Sequence, residues 1–500
     1  MQRKWRVLTV VCIAVFMLLL DITVVNVALP DIRKELDASF TDLQWVVDAY
    51  ALTLAATILN AGSLGDLLGR KRVFLFAIAL FTVASALCGA ATSPLFLELA
   101  RGLQGLGGAG MFAVSLAIIA QEFHGKERGT AFGIWGATIG IAVAIGPLVG
   151  GALTTYAGWR WIFFVNLPIG IAVVLGGLRE LVESKNEEAG GFDLFGFLTL
   201  TPGLFALVVA LFEGNDWGWT SGRILGLFAA AAVLLLAFAA IELRQRAAMF
   251  DFRLFRVPTF TGAQTTAFTI SAGMFSMFLF LTIYLQSVAG NSAVRTGVIF
   301  LPLTLVSFFV APLAGRLSAR FPVRIFLGSG LALVGVALLL MHGITTSSTA
   351  SHLIPGFIVG GIGVGMVNAP LAATAVSVVA PQRAGMASGI NNTFRQVGIA
   401  TGIAALGAIF QSRIFSSLPP IPSAVRHAWA QSIASGSLEI PGRELSQGPT
   451  GIPTGQQAFV NGLNSILLVA AFVLFAGAVL AFLLVREKDF VASGPAAVGH

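Results

Sequence analysis

Apolar runs of about 20 residues or more recur along this chain, each long enough for a helix rising ~1.5 Å per residue to cross roughly 30 Å of hydrocarbon. Fourteen are read, near residues 7–29, 45–64, 73–92, 95–120, 130–153, 160–180, 193–212, 222–241, 260–285, 294–314, 322–343, 351–376, 386–411 and 459–485. None shows the short alternating strands of a membrane barrel. In hydrocarbon a backbone must satisfy its own N–H and C=O groups, so the expected fold is an all-α polytopic membrane protein with 14 transmembrane helices. Composition agrees: 56% hydrophobic and 11% charged residues leave too little polar surface for a water-soluble globule of 500 residues.

A formal charge of +7 would suggest nucleic acid in a soluble protein, so the placement of the cations decides its meaning. An even number of spans puts both termini on one side. Of the 30 Lys and Arg residues, 20 fall in segments on that side, eight on the other, and Arg101 and Arg395 lie inside spans. This is the positive-inside bias, so both termini are expected in the cytoplasm, the surplus charge faces anionic lipid, and no nucleic-acid partner is expected. Cys12 and Cys88 sit in spans and read as small core residues. Arg3, Lys4 and Arg6 before an apolar run imitate a signal peptide, but Asp21 interrupts the run and no small-residue cleavage pattern follows, so the segment is expected to remain as the first helix.

The chain repeats itself. Residues 105–119 lie over residues 360–374, with Gly108, Gly110 and Met111 falling on Gly363, Gly365 and Met366, and residues 128–133 resemble 383–389. Two six-helix bundles, residues 1–180 and 259–500, are therefore expected to be related by an axis along the membrane normal. Residues 181–258 supply charged linkers and two inserted spans. The linker after Glu242 is expected to lie on the lipid surface through Phe250, Phe252 and Phe255. Residues 412–458, rich in Pro, Ser and Gly, are expected to form an extracellular loop.

Residues 62–74, GSLGDLLGRKRVF, crowd Asp66, Arg70, Lys71 and Arg72 among Gly62, Gly65 and Gly69 in a loop between two spans. Glycines let the flanking helices approach closely while donors face helix ends and a carboxylate, so such a loop can latch and unlatch. Its counterpart in the second half, residues 315–324, keeps the cations but has no acid. Gly140, Gly146, Pro147, Gly150 and Gly151 in the fifth span allow close helix packing, with Pro147 kinking the helix.

An ionised group at the bilayer centre costs on the order of 3 kcal/mol or more, so intramembrane charges mark function. Asp21 in the first span and Arg101 in the fourth lie at similar depth, about 12 Å and 9 Å from the outer ends of their spans, and Glu98 shares a helix face with Arg101. Asp48 lies near the outer end of the second span. If the first and fourth spans adjoin, Asp21 pairs with Arg101 in one state and takes a proton in another, because a carboxylate parted from its cation and from water is neutralised more readily. Spans 9 to 14 contain no Asp or Glu, so the second half must line a cavity with neutral groups and one cation: Gln264, Tyr284, Asn368, Asn391, Asn392, Arg395 and Gln396, with Asn26 as a candidate in the first.

The five motifs LDITVVNVALP (20–30), GSLGDLLGRKRVF (62–74), ARGLQGLGG (100–108), GPLVGG (146–151) and GWRWIFFVNLPIG (158–170), in this order, resemble the major facilitator superfamily, and within it the fourteen-helix drug:proton antiporters of the EmrB/QacA type. The resemblance covers essentially the whole chain. It implies that Gly62, Asp66, Gly69, Arg70 and Arg72 regulate opening and closing, and that the glycines around Pro147 form the antiporter signature. It further implies a multi-pass protein of a bacterial cytoplasmic membrane, exporting amphipathic small molecules in exchange for protons. An alternative of the same fold is a dedicated exporter or flippase for one metabolite, lipid or self-made antibiotic. Relatives that move dicationic dyes rely on several intramembrane acids, a richness this chain lacks. The five histidines show no metal spacing and no phosphate-binding GxxxxGK[ST] occurs, so the expectation is no enzyme and no cofactor, with energy drawn from a proton gradient.

Overall fold

A computed structural model of the chain describes residues 2–38, 40–123, 125–185, 193–245, 250–318, 320–380, 383–419, 422–436, 438 and 451–490. It is 87% helical, and no strand occurs among the described residues. The helices are α1 (Arg3–Leu36), α2 (Phe40–Leu68), α3 (Arg70–Gly89), α4 (Pro94–Glu122), α5 (Gly125–Ala157), α6 (Trp161–Glu180), α7 (Leu194–Trp217), α8 (Gly222–Glu242), α9 (Pro258–Val288), α10 (Ala293–Leu317), α11 (Val323–Met341), α12 (Ile354–Ser377), α13 (Ala384–Ser417) and α14 (Gly451–Leu484). Among the described residues 13 helices are long and apolar enough to cross a membrane, and the remaining expected span, 130–153, falls inside the 33-residue helix α5.

Local chemistry sets several starts. Ser93 accepts from the Phe96 N–H with Pro94 opening α4, and Ser221 and Ser292 cap α8 and α10 in the same way. Asp193 accepts from the Gly196 N–H at the head of α7. Two π-helical turns, Ser271–Phe275 and Tyr284–Val288, interrupt α9.

The three largest clusters of buried apolar residues are two drawn mainly from α1–α6 and one drawn mainly from α9–α14. The glycines that the repeat pairs do not pack alike: a Cβ on Gly110 of α4 would lie 2.5 Å from Ala77 of α3, whereas one on Gly365 of α12 would lie 2.9 Å from Val310 of α10. The inserted pair is not a free appendage. Leu200 and Leu204 of α7 share a buried cluster with Ala56 and Leu59 of α2 and with Met386 and Ile390 of α13, while Asn60 donates to Thr201 at 2.5 Å.

Phe250, Phe252 and Phe255 pack on protein: Phe250 meets Phe252 at 4.5 Å and Phe255 at 5.6 Å, and Phe255 meets Phe260 and Phe394. Two expectations are corrected. Residues 62–74 are not a loop: α2 runs to Leu68, α3 begins at Arg70, and Gly69 alone lies between them. The segment 412–458 is largely helical where described: α13 continues to Ser417, a helix spans Ser423–Ala434, and α14 begins at Gly451 instead of 459, with 439–450 outside the described residues. Trp429, Ala430 and Ile433 give that helix one apolar face, which seats in the core of α9–α14.

Candidate functional site

Asp21 of α1 is 2% exposed and held from three sides. Its Oδ2 pairs with the Arg101 guanidinium of α4, and its Oδ1 accepts from Gln104 Nε2 at 2.9 Å and from Asn166 Nδ2 of α6 at 3.0 Å. Arg101 Nη1 also donates to Gln104 Oε1 at 2.8 Å, its Nε donates to the Val46 carbonyl of α2 at 3.1 Å, and its plane lies 4.2 Å over the Tyr50 ring. Asn166 donates in turn to Ser85 of α3, whose hydroxyl donates to the Phe163 carbonyl at 2.8 Å. One ion pair thus ties α1, α2, α3, α4 and α6, with both charges compensated and buried. Such a pair adds little net stability, yet removing one partner strands a buried charge, so it defines one arrangement of these helices sharply.

A second carboxylate, Asp66, lies at the end of the molecule that carries residues 3 and 484. Its Oδ1 accepts from Arg70 Nε and Nη2 at 3.0 and 2.8 Å. It also reaches across to the first turn of α13, where the N–H groups of Gly385 and Met386 donate at 3.2 and 2.8 Å. These are the orphan donors of a helix start, reinforced by the positive end of its dipole. A Cβ on Gly385 would sit 2.4 Å from Asp66 Oδ1, so the contact requires glycine there.

The break between α2 and α3 is held from a distance. Gly69 has φ +111°, and Glu183 accepts from the Lys71 and Arg72 N–H groups at 3.1 and 3.2 Å, offsetting the basic residues at the head of α3. A Cβ on Gly69 would lie 2.5 Å from the Glu183 carboxyl. Gly69→Ala is therefore expected to destabilise the purified protein by the ~1–3 kcal/mol of a strained backbone plus the clash, read as a lower melting temperature. Adding Glu183→Ala should recover only the clash; an unchanged melting temperature in the single variant would contradict the account.

Two glycine pairs form the seams between α1–α6 and α9–α14. A Cβ on Gly62 would be 2.6 Å from the Gly385 oxygen, and one on Gly315 would be 2.1 Å from the Gly129 oxygen. The sequence repeat relates these pairs, since residue 62 corresponds to 315 and residue 129 to 385. The seams differ in chemistry. Asp66 fastens the first, whereas at the second Arg316 Nε donates to Thr130 at 3.0 Å. Ser388 of α13 also donates to the Ala113 carbonyl of α4 at 2.7 Å. The described hydrogen bonds between the two groups of helices all fall at this end, so the structure is closed there.

The glycines of α5 face both ways. Gly146 and Gly150 press on Thr23 and Val24 of α1, next to Asp21, while Gly140 and Gly151 face Ser307 and Val294 of α10. The side chains of Pro147 and Asn26 lie outside the described residues.

In the second group Asn391 Nδ2 donates to Gln264 Oε1 at 3.1 Å, and Arg395 Nη2 donates to Asn368 Oδ1 at 3.0 Å. Asn392 is buried beside them, and Gln396 is half-buried. Tyr284 does not join this set; 20 residues further along α9 than Gln264, it donates to the Ser348 carbonyl at 3.4 Å. Glu98 is half-buried near Asp42 and makes no described contact with Arg101, and Asp48 is half-buried in α2.

Comparison with known proteins decides the family. The Major Facilitator Superfamily model matches residues 11–403. The chain belongs to the Major Facilitator Superfamily. It is 36% identical over 486 residues to Multidrug resistance protein Stp of Mycobacterium tuberculosis, covering 94% of this chain and 90% of that protein. It is 35% identical to the Tetracenomycin C resistance and export protein of Streptomyces glaucescens, covering 83% and 78%. The solved structure of the human organic anion transporter MFSD10 (TETRAN) superposes with a TM-score of 0.62 at 15% identity, over 95% of this chain and all of that one. This superfamily member is thus a multi-pass membrane protein of a transporter family with bacterial relatives.

Sequence reasoning paired Asp21 with Arg101 but passed over Gln104, Asn166, Ser85 and Tyr50. Gln104 was within reach, since it stands three residues after Arg101 on the same helix face. Asn166 lies inside the quoted motif 158–170, but its reach to Asp21 depends on how α6 crosses α1.

Proposed function

We propose that the protein is a proton-coupled exporter of amphipathic small molecules, working by alternating access of residues 1–180 against 259–500, with 181–258 joining and bracing them. The observation that carries this reading is the sealed Asp21–Arg101 pair in the helices whose other end holds the Asp66 latch. Helix α4 connects the two, since it bears Arg101 and Gln104 and also accepts the bond from Ser388. A proton on Asp21 removes the charge that holds Arg101, loosens α1 against α4, and shifts α4 relative to α13. With both termini cytoplasmic, as the positive-inside bias argues, the closed end faces the cytoplasm. Protons enter and substrate leaves when the opposite end is open.

The relatives named for multidrug resistance and for export of tetracenomycin C support small-molecule efflux. In inside-out membrane vesicles, dye accumulation driven by an acidified lumen should collapse when a protonophore is added. Accumulation that continues undiminished would remove the antiport mechanism.

A further inference from the structure

The second half holds a buried positive charge that nothing in it neutralises. Arg395 is 5% exposed, and helices α9–α14 contain no Asp or Glu. No ion pair to Arg395 occurs among the described residues. The one carboxylate deep in the first half, Asp21, is already engaged by Arg101. Asn368 accepts from Arg395 Nη2, but Arg395 Nε is buried without a partner.

The polar atoms around it are idle in the same sense. Gln264 accepts from Asn391 yet its Nε2 donates to nothing, and neither Nδ2 nor Oδ1 of Asn392, a side chain with 0% exposure, has a partner. The Ser271 hydroxyl, at the π-helical turn of α9, is also unpartnered, and α9 approaches α13 closely there, since a Cβ on Gly398 would lie 3.1 Å from Ser271 Cβ. Buried polar groups are ordinarily bonded, so a cluster left open is shaped for something absent. The unused capacity is lopsided: three nitrogen donors and a full positive charge against one amide oxygen and one hydroxyl, which can itself donate. A cation would meet mostly N–H groups and like charge; an oxyanion would find complementary partners, with the guanidinium as a charge-assisted donor. The cluster borders the moving seam, because Gly136 of α5 packs on Asn368.

We infer that Arg395, with Gln264, Asn392 and Asn368, forms an anion-accepting subsite, and that the exported amphiphiles include ones carrying a carboxylate or an ionised phenol. This rests on the export reading above and names the substrate class of that transport.

Two dyes with the same three-ring frame and opposite charge at neutral pH, fluorescein and rhodamine 123, test it. Equilibrium binding to the purified full chain is measured by fluorescence anisotropy, and proton-driven uptake is measured in inside-out vesicles. Wild type should bind and take up fluorescein in preference. Arg395→Gln should weaken fluorescein binding about tenfold or more, the equivalent of ~1.4 kcal/mol, and leave rhodamine 123 unchanged, whereas Arg395→Lys should retain part of the effect. Asn392→Leu removes no described hydrogen bond, so it should also weaken fluorescein binding while the melting temperature holds or rises. Preference for rhodamine 123, binding of neither dye, or equal losses for both dyes in the variants would overturn the subsite. If fluorescein binds in an Arg395-dependent way but no gradient moves it, the subsite stands and the export reading falls.

Discussion

Asp21→Asn is expected to reduce proton-driven efflux to the background of empty vesicles while the protein still inserts and folds. The asparagine keeps an oxygen for Gln104 and Asn166 to donate to, so the local shape survives. It cannot take up and release a proton, and it leaves Arg101 without its counter-charge. Breaking a buried pair from one side costs about 3–5 kcal/mol, so a lowered melting temperature should accompany the loss of transport. The two effects separate in the double variant Asp21→Asn with Arg101→Gln. Removing the stranded cation should restore much of the thermal stability without restoring coupling. Wild-type, gradient-dependent efflux by Asp21→Asn would move proton binding to Glu98 or Asp48.

Asp66→Ala should open the closed end. It removes two bonds from a charged acceptor to the N–H groups of Gly385 and Met386, each worth about 1.5–3 kcal/mol, together with the pairing to Arg70. A shift of about 5.5 kcal/mol carries a two-state equilibrium from 1:99 to 99:1, so losses of this size redistribute the conformations instead of merely softening one. Spin labels at Leu68 and Arg383, on either side of the seam, should report a longer distance in the variant; an unchanged distance distribution would show that the glycine contacts alone hold the closure. The Arg316 to Thr130 bond at the other seam survives the substitution, so opening is expected to be lopsided.

Span positions, the repeat and the Asp21–Arg101 pairing could be read from the residues because each leaves a local or periodic mark: length, spacing, or a charge where charge is costly. What could not be read depended on crossings. The residues around Asp66 suggested a latch belonging to the first half, since its acid has no counterpart at 315–324. Its partners across the seam are backbone N–H groups of α13, which carry no side-chain signature at all. The segment 62–74 read as a loop because glycine and charge are loop-like in composition, whereas in place its charges are absorbed by Glu183 and by the start of α13. Phe250, Phe252 and Phe255 looked amphipathic in isolation and proved to be one side of an aromatic cluster completed by Phe260 and Phe394.

The position of α7 makes the two flanks of the molecule unequal. On one flank α7 fills the groove between α2 and α13, sealed by Val208 and Val209 against Leu52, Ala55 and Ala400. On the other, α5 meets α10 directly, glycine backbone against glycine backbone, with no inserted helix laid over them among the described residues. From one side the interior lies behind an extra helix; from the other it lies behind α5 and α10 alone, whose contact runs from Gly129 and Gly315 to Gly151 and Val294. A bulky residue set into that contact would part the two groups of helices, where the same residue on α7 would displace only the inserted pair.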